Sequence, residues 1–182
     1  MKLVFMLEER SMKELLDSIL PRILPDYVQY LTISHDGKSD LEKSLPIKLN
    51  AWREPNVMFV VVHDQDSNDC KQLKQKLISL CEGHEKSVLI RIPCHELESW
   101  YWGDLKAVSI AYGRDLTKLQ RRRQYREPDK IESPKRELKR YIPEMGQIEG
   151  ARRIGPLMDI NNNTSYSFRV FVRGVQRLCQ EG

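Results

Sequence analysis

The chain has 182 residues, with 40% hydrophobic and 31% charged residues and a formal net charge of +4. This is about one domain's length, with the composition of an ordinary folded globular protein. No apolar run is long enough to cross a bilayer. The N-terminal apolar run also meets Glu8 and Glu9 too soon for a secretory leader, so a cytoplasmic location is expected. Cys70, Cys81, Cys94 and Cys179 form no C-x-x-C pair, which argues for reduced thiols rather than a zinc site or a disulfide framework. No G-x-x-x-x-G-K-[ST] segment is present, which excludes that mode of ATP binding.

Lys2 to Leu7 reads as a first strand. Ser11, with Glu14 three residues on, has the form of a capping box. Leu15, Leu16, Ile19, Leu20 and Ile23 then give a helical apolar stripe, which Pro21 and Pro25 disturb or end. Val28 to Ile33 alternates as a second strand, and His35-Asp36-Gly37 is a turn. Ser39 to Trp52 reads as helix with a break near Pro46. Val57 to Val62 is an unbroken apolar run, suited to a strand covered by helices on both faces. Asp69 to Leu80 is the next helix, with Leu73, Leu77 and Leu80 on one face and Gly83 placed to end it. Ser87 to Ile92 is a fourth strand, stopped by Pro93. His95 to Trp102 reads as helical, and Gly103-Asp104 caps another helix from Leu105 to Tyr112. This alternation implies an α/β fold with a mostly parallel four-stranded sheet flanked by helices.

After Gly113 the character changes. From Arg114 to Arg140 there are eleven Lys or Arg against five Asp or Glu, a local +6 that leaves −2 for the rest of the chain. Pro134 to Tyr141 is a short basic helix, Gly150 to Pro156 a compact junction, and Asn161-Asn162-Asn163 a turn with Thr164 or Ser165 as the next N-cap. Phe168, Phe171, Val172, Val175 and Leu178 form the apolar face of a closing helix. The expected plan is a core of residues 1–112 with a basic helical part, 113–182, packed onto it as a single compact unit.

Acids cluster at the predicted strand ends. Glu8 ends the first strand, Asp64 and Asp66 end the third, and Glu96 and Glu98 follow the fourth. Ligands of open α/β sheets bind beyond the carboxyl ends of the strands. Alternate residues of an extended segment share a side, so Asp64 and Asp66 are expected to converge on a hard cation, Mg²⁺ or Mn²⁺. Glu96 and Glu98 would point roughly 200° apart on a helix; Glu96, nearer the strand end, is the expected member of the site. Phosphodiester hydrolysis suits such carboxylates, and Lys74 or Arg152 could stabilise transition-state charge. His63 should face away from Asp64. Cys94-His95 is adjacency without nucleophile–base geometry, and Trp100, Tyr101 and Trp102 fit burial better than base stacking. Arg121, Arg122, Arg123, Arg126 and Arg152 are the expected contacts to nucleic-acid phosphates.

Several of these stretches also carry a resemblance. The segments are L-E-E-R-S-M-K-E-L-L-D-S-I-L-P-R-I-L-P at 7–25, H-D-Q-D-S-N-D-C at 63–70, R-I-P-C-H-E-L-E-S-W-Y-W-G-D at 91–104, G-A-R-R-I-G-P at 150–156 and S-F-R-V-F-V-R-G-V at 167–175. Together they resemble uncharacterised bacterial TOPRIM-like proteins related to RloB, over essentially the whole chain. The resemblance implies a TOPRIM-like fold with Glu8 as first acid and Asp64 and Asp66 as the D-x-D pair. It also implies a nuclease-like effector partnered with an AAA- or ABC-type ATPase encoded nearby, in phage defence. Glu9 departs from the TOPRIM pattern, where a glycine commonly follows the first acid. The rival expectation is a non-catalytic TOPRIM-like module that binds such an ATPase or nucleic acid. DNA or RNA as substrate, and monomer or homo-oligomer as state, stay open.

Overall fold

The computed structural model describes residues 1–83 and 85–181. Four strands, β1 (Lys2–Leu7), β2 (Gln29–Ser34), β3 (Val57–Val62) and β4 (Val88–Arg91), form a sheet of order β2-β1-β3-β4. Every pairing is parallel, so the expected α/β fold is present, with no antiparallel strand in the sheet. Helices α1 (Arg10–Ile19), α2 (Lys38–Ala51) and α3 (Cys70–Leu80) follow the first three strands. Beyond β4 come α4 (Glu98–Trp102), α5 (Leu105–Tyr112), α6 (Pro134–Tyr141), α7 (Gln147–Ile154) and α8 (Tyr166–Glu181). Among the described residues, no helix is long and apolar enough to cross a membrane.

The strands divide their side chains between two cores by simple alternation. Leu3, Phe5, Leu7, Val60 and Val62 pack with α1 and with residues of the C-terminal helices, including Trp100, Leu138, Phe168 and Phe171. Val4, Met6, Phe59 and Val61 pack on the opposite face against Leu41, Leu45 and Leu49 of α2 and Leu73 and Leu77 of α3. The first core draws on both the N-terminal and the C-terminal stretches of the chain, so residues 113–181 are held by the same apolar burial as the sheet.

Local details differ from the sequence reading in three places. Ser11 does not cap α1: Glu9 holds the cap position, and the Ser11 hydroxyl donates to the Glu9 carboxylate. Pro46 lies inside α2 without ending it, because the burial of Leu41, Leu45 and Leu49 outweighs one missing backbone hydrogen bond. Residues 95–97 are not helical; His95 has a left-handed backbone (φ +60) and α4 starts only at Glu98. The expected cap at Asp104 is present, its side chain accepting from Ala107. Asp69 accepts from the backbone of Lys71 and Gln72 just before α3, and α5 ends at Gly113, φ +64. The hydroxyl of Ser165 accepts from Phe168 at the start of α8.

The junction of α4 with the loop before α8 is tightly packed. Thr164 N–H donates to the Gly103 carbonyl at 2.9 Å and the Asn163 amide to the Trp100 carbonyl at 2.9 Å. A methyl group on Gly103 would meet the Asn163 side chain and come within 2.7 Å of the Ser165 backbone nitrogen. Overpacking of this kind costs about 1–3 kcal/mol. Gly103→Ala is therefore expected to lower the urea midpoint by that much stability, as read from equilibrium unfolding followed by circular dichroism.

Candidate acidic site and basic cleft

The strand order reverses between β1 and β3: β1 connects outward to β2, and β3 connects outward to β4 on the other side. The crevice at the carboxyl ends of those two strands is where open α/β sheets hold ligands. Glu8 and Asp64 stand there. The Asp64 backbone N–H donates to Glu8 Oε2 at 2.8 Å. Asp64 itself is buried, and its Oδ1 has no hydrogen-bond partner. Burial, followed by the charges of Glu8, Glu98 and Glu9, pushes its carboxyl well above the usual range. Burial likewise raises Glu8, against the opposing pull of His63.

The strand alternation expected to bring Asp64 and Asp66 together stops before Asp66. The chain leaves the extended conformation, with Asp66 at φ +52, so alternation does not carry through it. The Asp66 carboxylate pairs instead with Lys38 Nζ of α2 at 2.9 Å. The loops around Asp66 and His95 lock together. Asp66 N–H donates to the His95 carbonyl at 2.7 Å, Gln65 N–H to the Pro93 carbonyl at 3.1 Å, and His95 N–H to the Gln65 side chain at 3.2 Å.

The expectation about Glu96 and Glu98 is corrected in part. Because α4 starts at Glu98, the two residues are not on a common helix. Glu96 accepts from Lys135 N–H at the start of α6, at 3.0 Å, while still lining a cavity with Asp66. Glu98 is the acid buried beside Asp64. Burial pushes its carboxyl up to about 7, with a further rise from Glu96 and a smaller opposing effect from Lys135. Glu9 takes part in the same acidic field, and its carboxylate is also reached by the Gln147 amide at 3.3 Å. Its backbone is extended at φ −145, a conformation open to any residue, so no glycine is required there.

The donor chemistry fits a hard divalent cation: the candidate ligands are carboxylate oxygens, and the buried Asp64 Oδ1 is an acceptor without a donor. Among the described residues, no group of three or more His, Cys, Asp or Glu side chains is already arranged to hold a metal ion. The Lys38–Asp66 pair accounts for part of this. Both side chains are more than a third exposed, so the pair is worth at most about 1 kcal/mol and Asp66 is readily released from it.

The other residues singled out from sequence are scattered more widely. Arg122 and Arg123 line a cleft of about 730 Å³ together with Lys130, Arg136 and Arg140. Arg121 and Arg126 are exposed on the same segment but outside the cleft lining. Arg152 instead clamps Glu14 of α1 through two contacts of 2.8 and 2.7 Å. Lys74 faces a different small cavity with Cys70 and Cys94, and burial pushes the Cys94 thiol up to about 11. Trp100, Tyr101 and Trp102 are fully buried. Trp102 stacks on Tyr125 with ring centres 4.3 Å apart, and its indole donates to the Pro134 carbonyl at 2.9 Å. Sequence reasoning missed Lys38, which is remote from the acids along the chain, and missed the burial of Glu98. The apolar neighbours of Glu98 in E-L-E-S-W-Y-W were the available signal for the latter.

The basic cleft borders the cavity of Asp66 and Glu96. The cavity that holds Asp66 and Glu96 measures about 510 Å³ and shares Glu132 and Ser133 with the larger cleft.

Glu98 gives a test of this electrostatic picture. Its folded carboxyl titrates at about 7, above the ordinary value of 4.5. A carboxyl raised in this way adds stability below its unfolded pKa, and that contribution is lost as pH rises through the folded pKa. The metal-free protein is thus expected to lose stability between pH 4.5 and 7, by on the order of 3 kcal/mol from this group. Glu98→Gln should flatten that slope and melt above wild type at pH 8 by scanning calorimetry.

Comparison with known proteins bears on the fold and the family. A solved structure of the C-terminal region of the Burkholderia pseudomallei OLD protein is similar, with a TM-score of 0.57 and 14% sequence identity, over 98% of this chain and 97% of that one. At that identity the likeness concerns the fold alone. No match is found among curated proteins. The family model described as a domain of unknown function, DUF4276, matches residues 7–176. The chain therefore belongs to the DUF4276 family.

Proposed function

We propose that the chain is a Mg²⁺- or Mn²⁺-dependent nuclease that hydrolyses phosphodiester bonds in DNA or RNA, acting as the effector of an ATPase-coupled anti-phage system. The observation that carries this reading is the junction of two unlike surfaces. A crowded, partly unsatisfied carboxylate cluster lies at the switch point of the sheet, and a cleft lined by five cations and three glutamates borders the cavity of Asp66 and Glu96 through Glu132 and Ser133. The ATPase partner and the defence setting rest on the resemblance of the sequence to TOPRIM-like proteins related to RloB.

Glu8, Asp64 and Asp66 would hold the cation, with Glu98 and Glu96 adding negative charge around it. When bound, the cation supplies neutralisation of phosphate oxygens and a water of lowered pKa. The residues themselves act by position. The Asp64 N–H fixes one oxygen of Glu8. Released from Asp66, Lys38 offers an exposed ammonium to a non-bridging phosphate oxygen. Arg122, Arg123 and Arg136 line the cleft and make no ion pair among the described residues, which leaves their guanidinium groups available to phosphates. The alternative reading is a non-catalytic module that uses the same cleft to bind nucleic acid or a partner ATPase.

The direct test is cutting of pooled tRNA, single-stranded DNA and plasmid with Mn²⁺ or EDTA, by wild type and by Asp64→Ala/Asp66→Ala. Metal-dependent cleavage should appear in wild type. It should fall in the double variant by more than about 100-fold, beyond the effect typical of residues that merely support a metal. Full activity in the double variant overturns the metal-site reading; wild type inactive both alone and with the neighbouring ATPase favours the non-catalytic module.

The cleft has its own test. Arg122→Ala/Arg123→Ala/Arg136→Ala should weaken nucleic-acid binding. The slope of log K against log salt should become shallower by about 0.7–0.9 per lost phosphate contact, as measured by fluorescence anisotropy across a salt series. An unchanged slope places phosphate binding elsewhere.

A further inference from the structure

β4 forms one edge of the sheet, and α8 lies against it. Between α8 and α3 a cavity of about 150 Å³ opens over this edge, lined by Cys70 and Lys74 of α3, Arg91 of β4, Cys94, and Tyr166 and Val170 of α8. Pockets that hold whole small molecules measure roughly 300–1,000 Å³, so this one suits a single group of a larger ligand. No carboxylate lines it, in contrast with the basic cleft and its three glutamates.

Arg91 is partly buried, and its guanidinium lies against the backbone of α8. Nε donates to the Val170 carbonyl at 3.1 Å, Nη1 donates to the Ile90 carbonyl at 2.9 Å, and a methyl group on Gly174 would strike it. A guanidinium has five N–H donors, so others are left after these two bonds. Burial, and then the charge of Arg177, lowers its pKa. A cation drawn out of water is costly unless it is paired. Among the described residues, Lys74, Arg91 and Arg173 form no ion pair. The two carbonyl bonds tether α8 but leave the charge of Arg91 without a counter-ion.

The rim of the groove is basic too. At 100° per residue, Tyr166, Arg173 and Arg177 stand within about 60° of Val170 around α8, and Lys74 faces them from α3. Tyr166 is 64% exposed, a large aromatic ring open to solvent. Cations with an exposed ring among them are the parts of a single-strand nucleic-acid site, where the cations track phosphates and the ring stacks on a base. The groove lies beside the acidic site: Cys94 lines the groove, and His95, the next residue, lines the cavity of Asp66 and Glu96.

We infer that the groove between α3 and α8 is a second nucleic-acid contact, in which Arg91 and Lys74 hold a backbone phosphate of a single strand, Arg173 and Arg177 its neighbours, and Tyr166 stacks on a base. This rests on the reading of the chain as a nucleic-acid-binding protein, but neither on catalysis nor on a bound cation, so binding is measured in EDTA. Short fluorescein-labelled single strands of DNA and RNA are titrated by anisotropy across a salt series. Lys74→Ala/Arg173→Ala should make the slope of log K against log salt shallower by about 0.7 per lost contact. Tyr166→Ala should weaken binding about 5-fold or more and leave the slope unchanged, which separates stacking from charge. Arg91→Gln should lower both affinity and slope; if circular dichroism shows it unfolded, the surface variants decide. Lys43→Ala/Arg53→Ala, a charge-matched control at exposed positions, should keep the wild-type slope. Alkylation of Cys70 by iodoacetamide, read by mass spectrometry, should slow when the strand is bound. Wild-type slope and affinity in Lys74→Ala/Arg173→Ala, or an equal change in the control, overturns the inference and leaves the cleft of Arg122 and Arg123 standing. Nucleic-acid binding intact with co-purification of the neighbouring ATPase lost makes the groove a protein contact and overturns it likewise. No binding of either strand by wild type overturns both readings at once.

Discussion

Like charge held out of water organises this molecule. Asp64, Glu8 and Glu98 are brought together where the strand order turns, and burial is the first cause of the raised carboxyl in each. A protein optimised only for stability would replace such a cluster with apolar residues of similar volume. The surrounding structure instead holds it in place. Two hydrophobic cores flank the sheet, a pair of interlocked loops carries Asp66 and His95 in left-handed conformations, and backbone hydrogen bonds fix Glu8 and Glu96. At this end of the sheet Asp66 and His95 have left-handed backbones and the buried Asp64 Oδ1 has no partner, the kinds of feature that structures keep where they serve a purpose.

Much of the sheet was legible from sequence because its signals are local. Val57 to Val62 is a strand on composition alone, and the caps at Asp104 and Ser165 follow from side-chain chemistry within three residues. Glu8 and Asp64 could be placed at strand ends for the same reason. Their direct contact could not be read, since it depends on β1 and β3 being neighbours although β2 lies between them along the chain. Failures came where a local rule met tertiary packing. Pro46 sits inside a helix because three leucines of α2 are buried, and Ser11 turned to a carboxylate instead of the backbone.

The choice between Glu96 and Glu98 shows the same limit more sharply. Proximity to the strand end favoured Glu96, on the assumption of a helix running from His95. The left-handed residue at His95 delays the helix to Glu98, and the acid farther along the chain becomes the one buried beside Asp64. Two charged residues within three positions were indistinguishable by type; only the backbone path between them separated a carboxylate facing α6 from one facing the sheet.

The five residues of α4 join the two halves of the site. Glu98 begins the helix in the acidic crevice, and Trp102 ends it under the cleft, stacked on Tyr125 and bonded to the first residue of α6. With a rise of about 1.5 Å per residue, the two ends are separated by roughly 6 Å along the axis. The helix acts as a ruler. Adding or deleting a residue within α4 would turn Trp102 by about 100° relative to Glu98, so that the placement of the buried acid and the anchorage of α6 are set by the same turn and a half of backbone.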